Sequence, residues 1–218
     1  MVICVAGPIA AGKNFVCSIL EERGFFCLDA DQEIHKIIGD KQAEILSRFS
    51  QIAASRGINL RAADGSLDRR ALGKLLFKDS ALLAEQEKIL YPEFVARVQK
   101  LIDANQKASQ AKEGGATGIE SKPKTARGLA INAALLYKTP SLLRQCKKII
   151  YVDAPLLVRA WRIRRRDRLP LLQIIRRIKS QKGLLQEYER FAADYGIEIV
   201  RVWNWGRGAE KALNGAGF

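Results

Sequence analysis

Short unbroken apolar runs alternate along the chain with longer stretches in which apolar residues recur every three or four positions. MVICVA, at residues 1–6, is a β-leaning run that ends directly in glycine, as a buried strand does. Phe15, Ile19 and Leu20 then repeat at helical spacing as far as Gly24, a helix stop. FFCLDAD, from Phe25, is a second short apolar run, closed by acids. Residues 33–57 predict one amphipathic helix whose buried stripe includes Ile34, Ile37, Ile38, Ile45, Leu46 and Phe49. Asp64-Gly65 predicts a turn, 68–90 one or two helices, and Tyr91-Pro92 an interruption before a further helix over 93–104. Residues 105–128, rich in Lys, Ser, Gly, Ala and Thr, predict a flexible insertion. LAINAALLY from Leu129, KKIIYVDAP from Lys147 and IEIVRVWNW from Ile197 predict three more strands. Helices follow the second of these, with Asp153 as a cap and Pro155 in the first turn, and follow Pro170.

Strands that alternate with helices predict an α/β fold, a parallel sheet with helices on both faces. Ligands of such sheets bind outside the carboxyl ends of the strands. The glycine loop after MVICVA and the Asp29-Ala30-Asp31 step both fall at such ends.

Composition narrows the partners. The chain has 218 residues, enough for one domain or a domain with a subdomain, and 48% apolar and 28% charged residues are ordinary for a globular protein. No apolar run approaches the roughly 20 residues of a membrane helix, and the N-terminus has neither the basic segment nor the cleavage site of a signal peptide. Cys4, Cys17, Cys27 and Cys146 form no C-x-x-C pair, and the single His35 reads as a surface helix residue, which argues against zinc. Scattered thiols of this kind predict a cytoplasmic protein. The net charge of +14 is concentrated: residues 159–182 hold ten Lys or Arg against one acid, Asp167. A local cluster suits a compact polyanion better than nucleic acid, for which basic residues interleaved with aromatics along a face are expected.

Residues 7–13 spell G-x-x-x-x-G-K between a strand and a helix, the context of a phosphate-binding loop. Gly7, Pro8, Ile9, Ala10, Ala11, Gly12, Lys13, Asn14 and Phe15 are therefore the candidate nucleotide contacts. Backbone N–H groups and the helix N-terminus would hold phosphates, and Lys13 would reach the terminal ones. The motif calls for Ser or Thr as a magnesium ligand where Asn14 stands, and an amide oxygen can still serve a cation that keeps most of its waters. On an extended strand end Asp29 and Asp31 would face one side. They read either as the start of a helix, with Asp31 capping it, or as the source of a general base. Arg162 and Arg166, four apart on a helix, offer guanidinium forks to a migrating phosphoryl group, or belong to a solvated face. Trp203 and Trp205 read as core residues by alternation, with Asn204 facing the opposite way, where its amide could read a base edge.

Taken in order, these segments resemble the dephospho-CoA kinase family. GPIAAGKN stands at its phosphate loop, LDADQEIHKI at its D-A-D element, and DGSLDRRALGKLLF at the approach to its substrate region. INAALLYKT falls at its P-L-L segment, VDAP with RIRRRDRLPLLQIIRRIKSQ at its lid, and WNWG where D-N-S-G is usual. The resemblance implies a P-loop kinase core (about 1–40, 129–160 and 183–218), a helical CoA-binding subdomain (about 41–104) and a lid (about 161–182), with 105–128 inserted. It also implies ATP and dephospho-CoA as substrates and magnesium as cofactor. Its residue roles are Asp31 as base on the ribose 3′-hydroxyl, Lys13 on the phosphates, Arg162 and Arg166 closing over them, and Asn204 near adenine. Besides Asn14, the chain departs from the family at Tyr91, where a His precedes proline, and at Ala134, where P-L-L has its proline. The alternative is a degenerate relative that binds nucleotide or CoA without phosphoryl transfer.

Overall fold

The computed structural model describes residues 1–77, 79–113, 127–206 and 208–218. It divides into two compact units, one of Met1–Ala30 with Gln99–Phe218 and one of Asp31–Val98.

The first unit is built on a five-stranded parallel sheet of β1 (Val2–Ala6), β2 (Phe25–Asp29), β3 (Gly128–Asn132), β4 (Lys148–Asp153) and β5 (Glu198–Trp203), in the order β2-β3-β1-β4-β5. The predicted strands are all present, but LAINAALLY is extended only to Asn132 and then turns into a short 3₁₀ segment, Leu136–Lys138. β1 is buried along its whole length because it is central, paired with β3 on one side and β4 on the other. An all-apolar run is what burial on both faces requires. On one face Ile3, Val5, Ile150, Val152 and Val202 form a core with Val16 and Leu20 of α1 (Lys13–Glu22) and with Ala209 and Leu213, which lie on the last helix. On the other face Tyr188 is fully buried, accepting a 2.9 Å hydrogen bond from the Leu136 N–H and donating to the Ala134 carbonyl at 3.1 Å.

The second unit is helical: α2 (Ala30–Asp40), α3 (Gln42–Ser55), α4 (Arg69–Phe77) and the first part of α5 (Ser80–Glu113). The single helix expected over 33–57 is divided at Lys41. The Asp64-Gly65 turn is present, with Gly65 at φ 82° and a 2.8 Å bond from the Ala62 N–H to the Ser66 carbonyl. Asp68 and Asp79 cap α4 and α5 through their carboxylates. Pro92 does not interrupt α5. Leu82, Leu90, Phe94, Val98 and Ile102 continue one buried stripe through it, so burial on both sides outweighs the one hydrogen bond that proline removes. α5 also makes residues 105–113 helical, where an unstructured insertion is expected; the rest of that segment, 114–126, lies outside the described residues.

The first unit is completed by α6 (Pro140–Leu143), α7 (Leu156–Asp167), α8 (Leu171–Lys179), α9 (Leu184–Tyr195) and, after β5, α10 (Gly208–Gly215). Asp153 is not the cap of α7. Pro155 holds the N-cap position, while the Asp153 carboxylate accepts the Ala154 N–H at 2.8 Å. None of the described helices is long and apolar enough to cross a membrane.

Candidate functional site

The chain leaves β1 through Gly7, whose φ is 142°; a Cβ there would overlap the Val152 carbonyl oxygen of β4, so only glycine can pass this close. The Ala11 N–H donates to the Pro8 carbonyl at 3.2 Å and closes a turn in which Ala10 takes a left-handed φ of 58°. Gly12, at φ 98°, caps α1. The first bond of the helix ladder is from the Val16 N–H to the Gly12 carbonyl, at 3.2 Å. The N–H groups of Lys13, Asn14 and Phe15 therefore lie ahead of the ladder at the positive end of the helix dipole, an anion site. Lys13 Nζ donates to the Gly7 carbonyl at 3.0 Å, which lays the ammonium back across the loop.

Side chains from α7, from the turn after α8 and from the residue that follows β5 hold the loop in this shape. Ile9 is gripped twice: its N–H donates to Gln181 Oε1 at 2.6 Å and its carbonyl accepts from Arg159 Nε at 3.1 Å. Arg162 Nη1 donates to the carbonyls of Ala10 and Ala11, each at 3.1 Å. Asn204 Nδ2 adds a 2.8 Å bond to the Ala11 carbonyl. The carbonyls of Ile9, Ala10 and Ala11 thus face cationic and amide donors, and the N–H groups at the start of α1 are the ones directed at an anion. Arg159 is buried, and burial lowers its pKa against the opposing effect of Asp153, 3.6 Å away. Arg166 is held by both oxygens of Asp167, at 2.7 and 3.1 Å, and Arg177 shares that carboxylate at 2.9 Å. The hydrogen bond from Arg166 lowers the Asp167 pKa and raises that of Arg166.

Around the loop's end lies a cavity of about 650 Å³, lined by Gly12 to Phe15, Arg162, Arg166, Asn204 and Trp205 among others. Its described lining carries three cationic side chains, Lys13, Arg162 and Arg166, and no carboxylate. A concave site of this size and sign is a receptor for a small polyanion.

Most of the candidate residues from the sequence converge here: the loop from Gly7 to Phe15, Arg162, Arg166 and Asn204. Asp31 belongs to the other unit, exposed in the first turn of α2. The extended geometry expected for Asp29 and Asp31 does not occur, because the helix begins at Ala30 and only Asp29 ends the strand. Trp203 and Trp205 are not core residues; they are 53% and 58% exposed. The strand stops at Trp203, so the alternation that would have buried both no longer applies. Asn204 is the buried member of the three, and its amide NH₂ braces the loop. Sequence reasoning assigned no individual site role to Arg159, Gln181 or Asn132, and it read Trp205 as a core residue. A polar residue closing an all-apolar strand was the available signal for Asn132.

Asn132 bears on the expected metal. Its Nδ2 donates to Asn14 Oδ1 at 2.8 Å. Phosphate-loop proteins hold magnesium through the hydroxyl that follows the loop lysine and through an aspartate. Here a neutral amide follows Lys13, its oxygen engaged by a second neutral amide on the adjacent strand. The pair does not fit that ligand set.

Comparison with known proteins gives the family. The family model described as dephospho-CoA kinase matches residues 1–114. The chain is 36% identical to the dephospho-CoA kinase of Treponema pallidum over 96% of this chain and 90% of that one. It is 34% identical to that of Treponema denticola over 94% and 83%. In fold it is similar to a Thermus thermophilus protein (TM-score 0.71, 22% identity, 99% of this chain and 95% of the other). It is also similar to the dephospho-CoA kinase of Campylobacter jejuni (TM-score 0.56, 21% identity, 99% and 95%). With the loop, the cationic cavity and relatives of this identity over nearly its full length, the chain belongs to the dephospho-CoA kinase family.

Proposed function

We propose that the protein transfers the γ-phosphoryl group of ATP to the ribose 3′-hydroxyl of dephospho-CoA, forming coenzyme A and ADP, in the cytoplasm. The observation that carries the reading is the cavity at the N-terminus of α1, which Lys13, Arg162 and Arg166 line together with the residues that open the helix. Such a set stabilises charge on a migrating phosphoryl group, the main requirement of this reaction class. In the step itself the hydroxyl oxygen bonds to the γ-phosphorus, the bond from that phosphorus to the β–γ bridging oxygen breaks, and the hydroxyl proton passes to a carboxylate. We assign that carboxylate to Asp31, at the D-A-D element. The helical segment 41–104 takes dephospho-CoA, and 161–182 serves as the lid that brings Arg162 and Arg166 to the phosphates. Magnesium carried on the phosphates of ATP would neutralise part of their charge.

The test is formation of CoA from ATP and dephospho-CoA in the presence of magnesium, followed by mass spectrometry. Asp31→Asn is expected to lower turnover by about a hundredfold or more, the range of a lost general base, with ATP binding retained. Undiminished turnover in this variant removes Asp31 as the base. The neutral Asn14–Asn132 pair favours a second reading, a protein that holds nucleotide or CoA without transfer. Saturable binding with no product over a wide range of magnesium and manganese would establish it.

A further inference from the structure

Asn132 is the last residue of β3, only 7% exposed, and in register with Val5 of β1 and Asp29 of β2. Its bond to Asn14 joins the strand beside the phosphate loop to the residue that follows Lys13. A hydroxyl and a carboxylate at two such positions would carry a negative charge and attract a cation. Two amides carry none. With Asn14 Oδ1 bonded to Asn132, the other branch of the Asn14 amide is its NH₂, a donor suited to phosphate oxygen and unable to ligate a metal. The cavity that Asn14 lines therefore presents donors and cations toward a nucleotide's phosphates.

We infer that the Asn14–Asn132 pair makes nucleotide binding at this site independent of divalent metal: the loop takes free ATP at least as well as its magnesium complex. The inference rests on the reading that the cavity receives ATP. In a site with an anionic metal ligand, removing magnesium leaves a carboxylate facing the polyphosphate, and affinity falls. Here Lys13, Arg162 and Arg166, the last paired with Asp167, line the cavity with the helix N-terminus, and the Asn14–Asn132 pair adds no charge that opposes free ATP. The two amides act as a specificity-determining pair that sets which form of ATP binds, while any need for metal in phosphoryl transfer is separate from binding.

The experiment is calorimetric titration of the full chain with ATP, in excess magnesium and in excess EDTA, without dephospho-CoA. The wild-type dissociation constant in EDTA is expected to be within about threefold of the value in magnesium, or lower. A rise of about tenfold or more in EDTA overturns the inference. The double variant Asn14→Ser, Asn132→Asp installs the hydroxyl and carboxylate. It is expected to raise the ratio of the two constants by about tenfold or more, mainly by weakening free ATP. An unchanged ratio in a double variant with a native circular dichroism spectrum and melt also overturns it. If that variant does not fold, the wild-type ratio decides alone. Titration with phosphate-loop ligand but no acceptor substrate keeps this result separate from turnover: a protein that makes no CoA can still bind ATP with or without metal.

Discussion

Replacing Gly12 by alanine should damage the loop by an amount that can be worked from its neighbours. A Cβ at this position would overlap the Asn204 amide nitrogen, and it would stand 3.2 Å from Asn204 Cγ and 3.3 Å from Arg162 Nη1. Asn204 is 5% exposed, so its amide cannot swing into water without breaking the 2.8 Å bond to the Ala11 carbonyl. Leaving a buried group unpaired costs about 1–3 kcal/mol. Alanine at φ 98° adds about 1–3 kcal/mol of backbone strain. The smaller entropy of the unfolded alanine chain returns about 0.4–1 kcal/mol. The net loss is about 3 kcal/mol, and at about 2–4 °C per kcal/mol for a chain of this length the melting temperature should fall by about 6–12 °C. A thermal melt followed by circular dichroism reads this, with ATP titration as the second measurement. The control is Ala10→Gly, which relieves the left-handed φ of 58° at similar entropic cost and should change stability by less than about 1 kcal/mol. If Gly12→Ala melts with the wild type and binds ATP equally well, the packing of Asn204 against the loop does not have the energetic role described.

Trp205→Ala should weaken ATP through loss of a stacking face on the cavity wall, worth about 1–3 kcal/mol or roughly 5- to 150-fold in the dissociation constant. Inorganic tripolyphosphate should be unaffected, and an equal loss for both ligands would show that the ring acts on the loop instead of on the base. Asp167→Asn tests the ion pairs of Asp167 with Arg166 and Arg177 through pH: the pKa of this carboxylate is lowered by Arg166, so its contribution is complete above the ordinary carboxylate range and is lost as pH falls through and below about 4. Arg166 and Arg177 are 64% and 46% exposed, so the contribution is under about 1 kcal/mol; a small deficit in melting temperature at pH 7 that widens in acid would contradict the assignment.

The strands were legible because burial on both faces writes itself as an unbroken apolar run, as in VICVA and KIIYVD. A helix after Pro170 was legible too, but as one helix where the structure has two, 171–179 and 184–195. What the pattern could not supply was where an element ends when a tertiary contact decides it. Pro92 reads as a break on local grounds, yet the stripe from Leu82 to Ile102 carries the helix past it. Trp203 and Trp205 alternate as core residues do, but alternation applies only while the chain stays in the sheet, and β5 stops between them.

The site divides along the same line. The loop is local, a run of neighbours whose spacing announces its use, and Lys13 could be assigned from it directly. Its supports are not local. Asn132 lies 118 residues from Asn14, Gln181 lies 172 from Ile9, and Asn204 lies 193 from Ala11. Each pair meets because β3 inserts between β2 and β1 while β4 flanks the other side, an order that the succession of elements along the chain does not specify. That order has a chemical consequence. It sets the ends of β3 and β4, Asn132 and Asp153, on either side of the end of β1, so whatever polar residue closes those strands must act on the phosphate loop. A fully buried parallel strand has no packing reason to end in an amide. The polar terminus of such a strand is thus the place to look for a loop's partner, and here it gives Asn14 a hydrogen-bonding partner 118 residues away.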